Sequence, residues 1–292
     1  MQLFVDDLTV IDFSYLCQQR GVVGESWIVD VVLDGDLNDQ SMILDFGVVK
    51  KQIKAIIDDA VDHKLLLPIH SSALKVSDST HQVDHEYVDF MATRGSLFLQ
   101  SPKQAFAKIE SKSIDIDSVT SHLTQVIAEQ LPNNVQGLTL TLRPEVINSD
   151  YYHYTHGLKL HDGNCQRIAH GHRSKIGIYL NGQRSIDAEH AWCERWRDIY
   201  IASEEDQVDI DQIELSSYAM DNVSDQHKYF SYRAPQGRFD IAVMKNQLEI
   251  VDCDSTVELL ADFIARTLNK QYKQEVKVVA YEGVAKGAIA TV

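Results

Sequence analysis

No part of this 292-residue chain is long and apolar enough to span a bilayer. Its opening, Met-Gln-Leu-Phe-Val-Asp-Asp-Leu, places two acids where a secretory leader carries positive charge. A cytoplasmic protein is therefore expected. The four cysteines, at positions 17, 165, 193 and 253, form no Cys-x-x-Cys pair and no disulfide framework. This fits a reducing compartment, in which a thiol is free to be catalytic. Runs of lysine or arginine are missing too: 27 basic residues stand against 43 acidic ones, a formal net charge of −16. Such a surface repels polyphosphate backbones and anionic lipid, so neither nucleic acid nor membrane is an expected partner, although a small anionic substrate can enter a locally basic pocket. The hydrophobic share, 44%, is ordinary for a packed globular core.

Histidine, by contrast, is concentrated. Five of the twelve histidines lie in one short stretch, at 153, 156, 161, 170 and 172, with Cys165 among them. His170 and His172 are separated by one glycine and run into Arg173–Leu180, which alternates polar or small residues with Ile176, Ile178 and Leu180. On a strand, residues i and i+2 share a face, so both imidazoles can reach one ion. A third ligand upstream, His156 or His161, would complete a three-histidine site with an open fourth position, the arrangement of a catalytic zinc.

The chain also repeats itself. His85-Glu-Tyr-Val-Asp-Phe-Met-Ala-Thr-Arg-Gly95 matches His227-Lys-Tyr-Phe-Ser-Tyr-Arg-Ala-Pro-Gln-Gly237 at His, Tyr, Ala and Gly, an offset of 142 positions. Similar offsets relate Cys17 to Cys165 and Glu145 to Glu282, which implies two divergent copies of about 145 residues. In the first, 8–17 and 27–33 read as strands, 48–61 as an amphipathic helix capped by Asp45, 85–108 as strand-rich, 118–131 as a helix and 137–142 as a strand. In the second, 151–160, 173–180, 239–243, 247–251 and 276–281 read as strands and 257–269 as a helix beginning at Ser255. Residues 183–226 read as acidic and irregular, with no counterpart of the first helix.

These features together resemble the 6-pyruvoyl-tetrahydropterin and 6-carboxy-tetrahydropterin synthase family. Tyr152-His-Tyr-Thr-His156-Gly-Leu158 is similar to its first-strand Phe-x-x-x-His pattern, and Cys165 before His170-Gly-His172 to its Cys and His-Gly-His. Met42-Ile-Leu-Asp45-Phe46 and Val61-Asp62-His63-Lys64-Leu65-Leu66 are similar to its Asp-Phe and Asp-His segments. The resemblance implies an α+β protein of two tandem tunnelling-fold units, ββααββ with antiparallel sheets, spanning 1–148 and 149–292 and assembling into a barrel as a homo-oligomer. It selects His156 over His161, giving His156, His170 and His172 as zinc ligands, with His153 and His161 as exposed flanking residues.

The two copies have lost different parts. Leu8-Thr-Val-Ile-Asp12 and Val23-Gly-Glu25 stand where the first copy should carry its histidines, and the second copy has no Asp-His pair. A composite site from both halves is expected, of the kind the family builds between subunits. The resemblance makes Cys165 the base, Asp62 the group that orients His63, His63 the second proton carrier, and Glu282 or Glu145 the anchor of a pterin. It implies a zinc-dependent lyase acting on 7,8-dihydroneopterin triphosphate, in the 6-carboxy-tetrahydropterin version that feeds queuosine biosynthesis. The other reading is a non-catalytic pterin- or purine-binding relative, or a partner of an undivided synthase. Cys17, Cys193 and Cys253 are read as small core residues.

Overall fold

A computed structural model describes all 292 residues. Strands β1 (Gln2–Cys17) and β2 (Gly21–Gly35) form a long antiparallel hairpin. Asp45 then caps a helical stretch by accepting from Gly47 N and Val48 N. It runs as α1 (Phe46–Val48), one π turn (Val49–Ile53) and α2 (Lys54–Ala60), and buries Val49, Ile53, Ile56 and Ile57. There follow β3 (Leu65–Pro68), β4 (Leu74–Asp78), β5 (His85–Ala92), β6 (Gly95–Pro102), β7 (Phe106–Ile109), α3 (Ile116–Ala128) and β8 (Val135–Pro144). The remainder holds β9 (Tyr151–His156), β10 (His170–Leu180), the two-residue β11 (Gln183–Arg184), α4 (Ile186–Arg195), β12 (Ile199–Ser203), β13 (Gln207–Val208) and α5 (Ser217–Asn222). It closes with β14 (His227–Ala234), β15 (Gly237–Met244), β16 (Leu248–Val251), α6 (Val257–Tyr272), β17 (Val276–Tyr281) and β18 (Gly287–Thr291).

Two sheets repeat one plan. The first has the order β7-β3-β1-β2-β8 and the second β16-β12-β9-β10-β17-β18, with β11 on β10. Each buries one face under its helices: the π turn, α2 and α3 cover the first through Ile53, Ile57, Val119, Leu123 and Ile127. α4 and α6 cover the second through Trp192, Trp196, Leu260, Ile264 and Leu268. A third sheet, β13-β14-β15-β6-β5-β4, takes strands from both halves and packs Phe90, Leu99, Phe230 and Ile241 against Leu16, Val22, Ile168 and Tyr200 of the other two.

A pseudo-two-fold relates the halves. Ser14 pairs with Gly24 in the first hairpin as Thr155 pairs with Gly171 in the second. Ser14 lies beside Leu65 of β3 as Thr155 lies beside Tyr200 of β12. These equivalents touch one another. Ser14 Oγ is 2.8 Å from Thr155 Oγ1, and Leu99 of β6 pairs with Ile241 of β15, its counterpart 142 positions on. Contact between equivalent residues is the mark of an isologous two-fold interface, here folded into one chain.

Several expectations change. Residues 183–226 are ordered: α4 is the missing counterpart of the first helix, and its acidic appearance hid it because Glu189 points inward, accepting from Ile178 N and pairing with Arg184. Strand β9 stops at His156 rather than 160. Asp115 caps α3, with Ser118 completing a capping box at the third helical position, and Thr256 rather than Ser255 stands at the N-cap of α6. Cys17 and Cys253 are half-buried, and only Cys193 is a buried core thiol.

At the crossing of the halves there is no room for a side chain. A Cβ on Gly24 would stand 1.9 Å from Tyr154 O, and one on Gly171 2.2 Å from the same atom. Gly24→Ala is therefore expected to destabilise the chain by about 1–3 kcal/mol, the scale of an enforced backbone shift in a packed interior. Denaturant unfolding measures this, and an unchanged midpoint would mean that the halves do not meet there.

Candidate active site

His156 ends β9 and His170 begins β10, and the antiparallel register sets them opposite each other. His172 follows two residues on, on the same face. All three are 1% exposed or less, with ring centroids 4.6, 5.3 and 6.0 Å apart. Their candidate ligand nitrogens lie within 4.8 Å of one another. The backbone sets their tautomers: His156 Nδ1 donates to Ser255 O at 3.0 Å and His170 Nδ1 to Arg167 O at 3.1 Å, which leaves the lone pair on Nε2 of each. Nε2 of His156 and of His172 is buried without a partner. Desolvation, helped by the neighbouring imidazoles, holds His156 and His170 well below the usual histidine range, so both are neutral. Neutral buried imidazoles with orphaned nitrogens converging on one point fit a metal ion.

The other half supplies the surroundings. Asp12 of β1, 3% exposed, places Oδ1 3.1 Å from His172 Nδ1, close but off the hydrogen-bond line. Its carboxylate also accepts from Ser26 Oγ at 2.5 Å and meets Lys286 Nζ at 3.0 Å. Burial alone would raise this carboxyl, but His172 and Lys286 outweigh it and hold Asp12 well below the carboxylate range. Asp12 thus does not stand at His156's place in the first copy. The register puts Tyr15 there, opposes Asp12 to His153 by the pseudo-two-fold, and keeps Val23 and Glu25 at the places of His170 and His172. A carboxylate in the middle of a strand whose neighbours Ile11 and Phe13 are core residues is the signal that could have marked Asp12.

Asp62 and His63 of the first half arrive at the same place. They form the turn before β3, with His63 at φ +53° and its N–H donated to Asp12 O. His63 Nδ1 lies 2.7 Å from Asp62 Oδ2, and Asp62 Oδ1 accepts from Asp12 N at 2.8 Å. Arg167 of the second half reaches across to the Asp62 and His63 carbonyls at 3.3 and 3.4 Å. His63, Cys165 and His170 hold their polar atoms within 4.8 Å of one another, and the His63 and His170 rings are 5.1 Å apart. Burial would lower His63, but Asp62 and Cys165 push it up to about 10, making it an imidazolium at neutral pH. The Asp-His pair and the histidine trio thus meet inside one chain rather than between subunits.

The two glutamates part ways. Glu282 Oε1 is 3.9 Å from His172 Nε2, at the rim of the trio. Glu145 is tied to Lys175 Nζ at 2.5 Å, on the other side of the pseudo-two-fold. His161 is exposed as expected, whereas His153 is buried, its Nδ1 donating to Gly24 O at 2.7 Å.

Residues 17–140 and 145–290 each match the family model of 6-pyruvoyl tetrahydropterin synthase. The chain belongs to that family, as a tandem duplication. No curated protein matches it. Among solved structures, 6-pyruvoyl tetrahydropterin synthase from Plasmodium vivax is 15% identical with a TM-score of 0.37, and that from Plasmodium falciparum 14% identical with a TM-score of 0.37. Each match covers 49% of this chain and 97% of the other, the length of one copy.

Two outcomes follow. Asp12→Asn removes the charge behind His172 and is expected to weaken metal binding about 10–100-fold, as losses behind a ligating histidine do, which chelator competition measures. Glu25, buried and pushed up to about 7 chiefly by desolvation, holds its proton more tightly folded than unfolded. Its burial therefore costs nothing below the unfolded value and costs most above pH 7. Glu25→Gln should raise the unfolding midpoint at pH 8, by at most roughly 3 kcal/mol in stability, and leave it unchanged at pH 4.

Proposed function

We propose that this protein is a zinc-dependent pterin synthase that eliminates triphosphate from 7,8-dihydroneopterin triphosphate and remodels the remaining side chain, with 6-carboxy-tetrahydropterin, a precursor of queuosine, as product. The observation that carries this reading is the approach of Asp62-His63 to Cys165 and His170 within one chain. A non-catalytic binding relative has no need of an acid-base group held against a metal-ligand histidine. His156, His170 and His172 would hold zinc, which when bound polarises the oxygens of the substrate side chain and acidifies the neighbouring C–H.

The protein's own groups handle the protons. Cys165 takes the proton from the side-chain carbon. His63, kept cationic and oriented by Asp62, gives its proton to the developing oxyanion or leaving group. Glu282, half-buried at the rim and without an ion-pairing lysine, accepts the paired N–H donors of the pterin's amino-amidine edge; Glu145 is already neutralised by Lys175. Lys286 is paired with Asp12, which keeps that carboxylate from repelling an anionic substrate.

The first and second sheets end in edge strands β7, β8, β16 and β18, with backbone groups free to pair. Closure into a ring of several chains is the proposed assembly. Light scattering at micromolar concentration should give a homo-oligomer, and a strict monomer would refute that part.

Catalysis is tested by triphosphate release from the wild-type protein reconstituted with zinc. Turnover is expected, and Cys165→Ala and His63→Ala should each lower it about 10²–10⁴-fold with zinc content unchanged. Because both groups lie in one chain, mixing the two variants should restore nothing. Zinc-loaded wild type that binds pterin and never turns over would leave only the binding role.

A further inference from the structure

The pseudo-two-fold that builds one metal site also builds its degenerate twin. Where the trio would converge in the first half, the register places Tyr15, Val23 and Glu25, which cannot hold an ion as three imidazoles do. Where Asp62 and His63 would stand, it places Arg197 and Asp198, and Asp198 keeps the left-handed turn at φ +54°. This side has not closed over. A cavity of about 630 Å³ remains, lined among others by Tyr15, Arg20, Glu25, Trp27, His153 and Arg173, a size suited to a small heterocycle.

Arg20 is used up by its neighbours, but Glu25, His153 and Arg173 keep bonding capacity toward the pocket. Glu25 is 7% exposed and accepts from Ser26 N at 3.0 Å, while its Oε2 stands 3.8 Å from His153 Nδ1, beyond hydrogen-bond reach. His153 donates Nδ1–H to Gly24 O, so its Nε2 carries a lone pair. Arg173 gives one N–H to Glu145 O and lies over the Tyr151 ring at 4.0 Å, but no carboxylate pairs with it. Arg20 is clamped by Asp198 at 3.0 and 2.5 Å and touches Tyr15 Oη at 3.1 Å, which fixes a guanidinium where the intact site gathers its imidazoles. Asp115 and Asp117 at the rim are the opposing charges; Asp115 is occupied in capping α3. Acceptors on one wall, a guanidinium without a carboxylate partner on another and the exposed Tyr151 ring beside them describe one class of ligand.

We propose that this second pocket is a metal-free binding site for a planar heterocycle with N–H donors along one edge and an anionic group elsewhere. That the heterocycle is a pterin rests on the function proposed above. Glu25 and His153 Nε2 receive the N–H edge, Arg173 the anion, and no bond is made or broken. Each chain then binds two pterins, one at the metal and one away from it.

The probe is 6-carboxypterin, titrated by fluorescence into metal-stripped protein. The double variant His170→Ala, Glu282→Gln removes both anchors of the metal side and is expected to bind one equivalent per chain. Glu25→Gln and Arg173→Gln, introduced into that background, should each weaken binding about tenfold or more, as loss of a charged hydrogen-bond partner does. If Arg173→Gln fails to fold, by circular dichroism and thermal melting, Glu25→Gln alone decides. Absence of binding up to about 1 mM in the double variant, or binding that Glu25→Gln leaves unchanged, overturns the proposal. Failure of catalysis is read independently, as missing turnover by the zinc-loaded wild type.

Discussion

Everything in this molecule depends on two backbones meeting without side chains between them. Gly24 and Gly171 let the β1-β2 and β9-β10 hairpins press together, with the Ser14–Thr155 hydrogen bond at the centre. Only at that separation can Asp12 reach His172 and Arg167 reach the Asp62-His63 turn. The third sheet holds the arrangement from outside, since β6 and β15 hydrogen-bond across the same axis and bury Leu99 and Ile241 beneath it. Moving the hairpins apart by one methyl group would open the site before any catalytic residue had changed.

Around that contact the halves have specialised. The second keeps the imidazoles and the thiol, the first keeps Asp62-His63, and each braces the other's contribution. Buried charge is costly unless it is paired. Asp12 is tolerated because Ser26, Lys286 and His172 surround it, and Glu25 because its carboxyl holds a proton more readily. On the degenerate side Arg20, Asp198 and Arg94 form a cluster with a net cation, so the polar groups did not give way to a packed apolar plug. The asymmetry is a redistribution of charge at constant backbone.

Much of this was legible in the sequence, for identifiable reasons. The i, i+2 spacing of His170 and His172 is a strand property that any β register preserves. The repeat at His85 and His227 marks β5 and β14, which flank the two strands that pair across the axis. Asp62-His63 and the Cys165 neighbourhood were recognisable as motifs. The place of Asp12 is not legible because the first copy carries no histidine to fix the alignment, and only the Ser14–Gly24 register shows that Tyr15 occupies the place of His156. Helix α4 escaped because a buried Glu189, satisfied by Arg184 and a backbone N–H, breaks the apolar stripe by which a helix is recognised. His153 was read as exposed because its partner, the Gly24 carbonyl, belongs to a strand 129 positions away.

The linker between β8 and β9 gives the duplication a further property. When a site is divided between separate subunits, its occupancy falls as the protein is diluted, because assembly is a second-order event. Here residues 145–150 join the halves, so the encounter of Asp62-His63 with His170 is intramolecular and its effective concentration is set by a short tether. The site survives dilution that would dismantle a shared one, and each half is released from having to supply every group of the site. A residue that would be tolerable once and harmful twice in a symmetric pair, such as a carboxylate in place of a metal-binding imidazole, need appear only once.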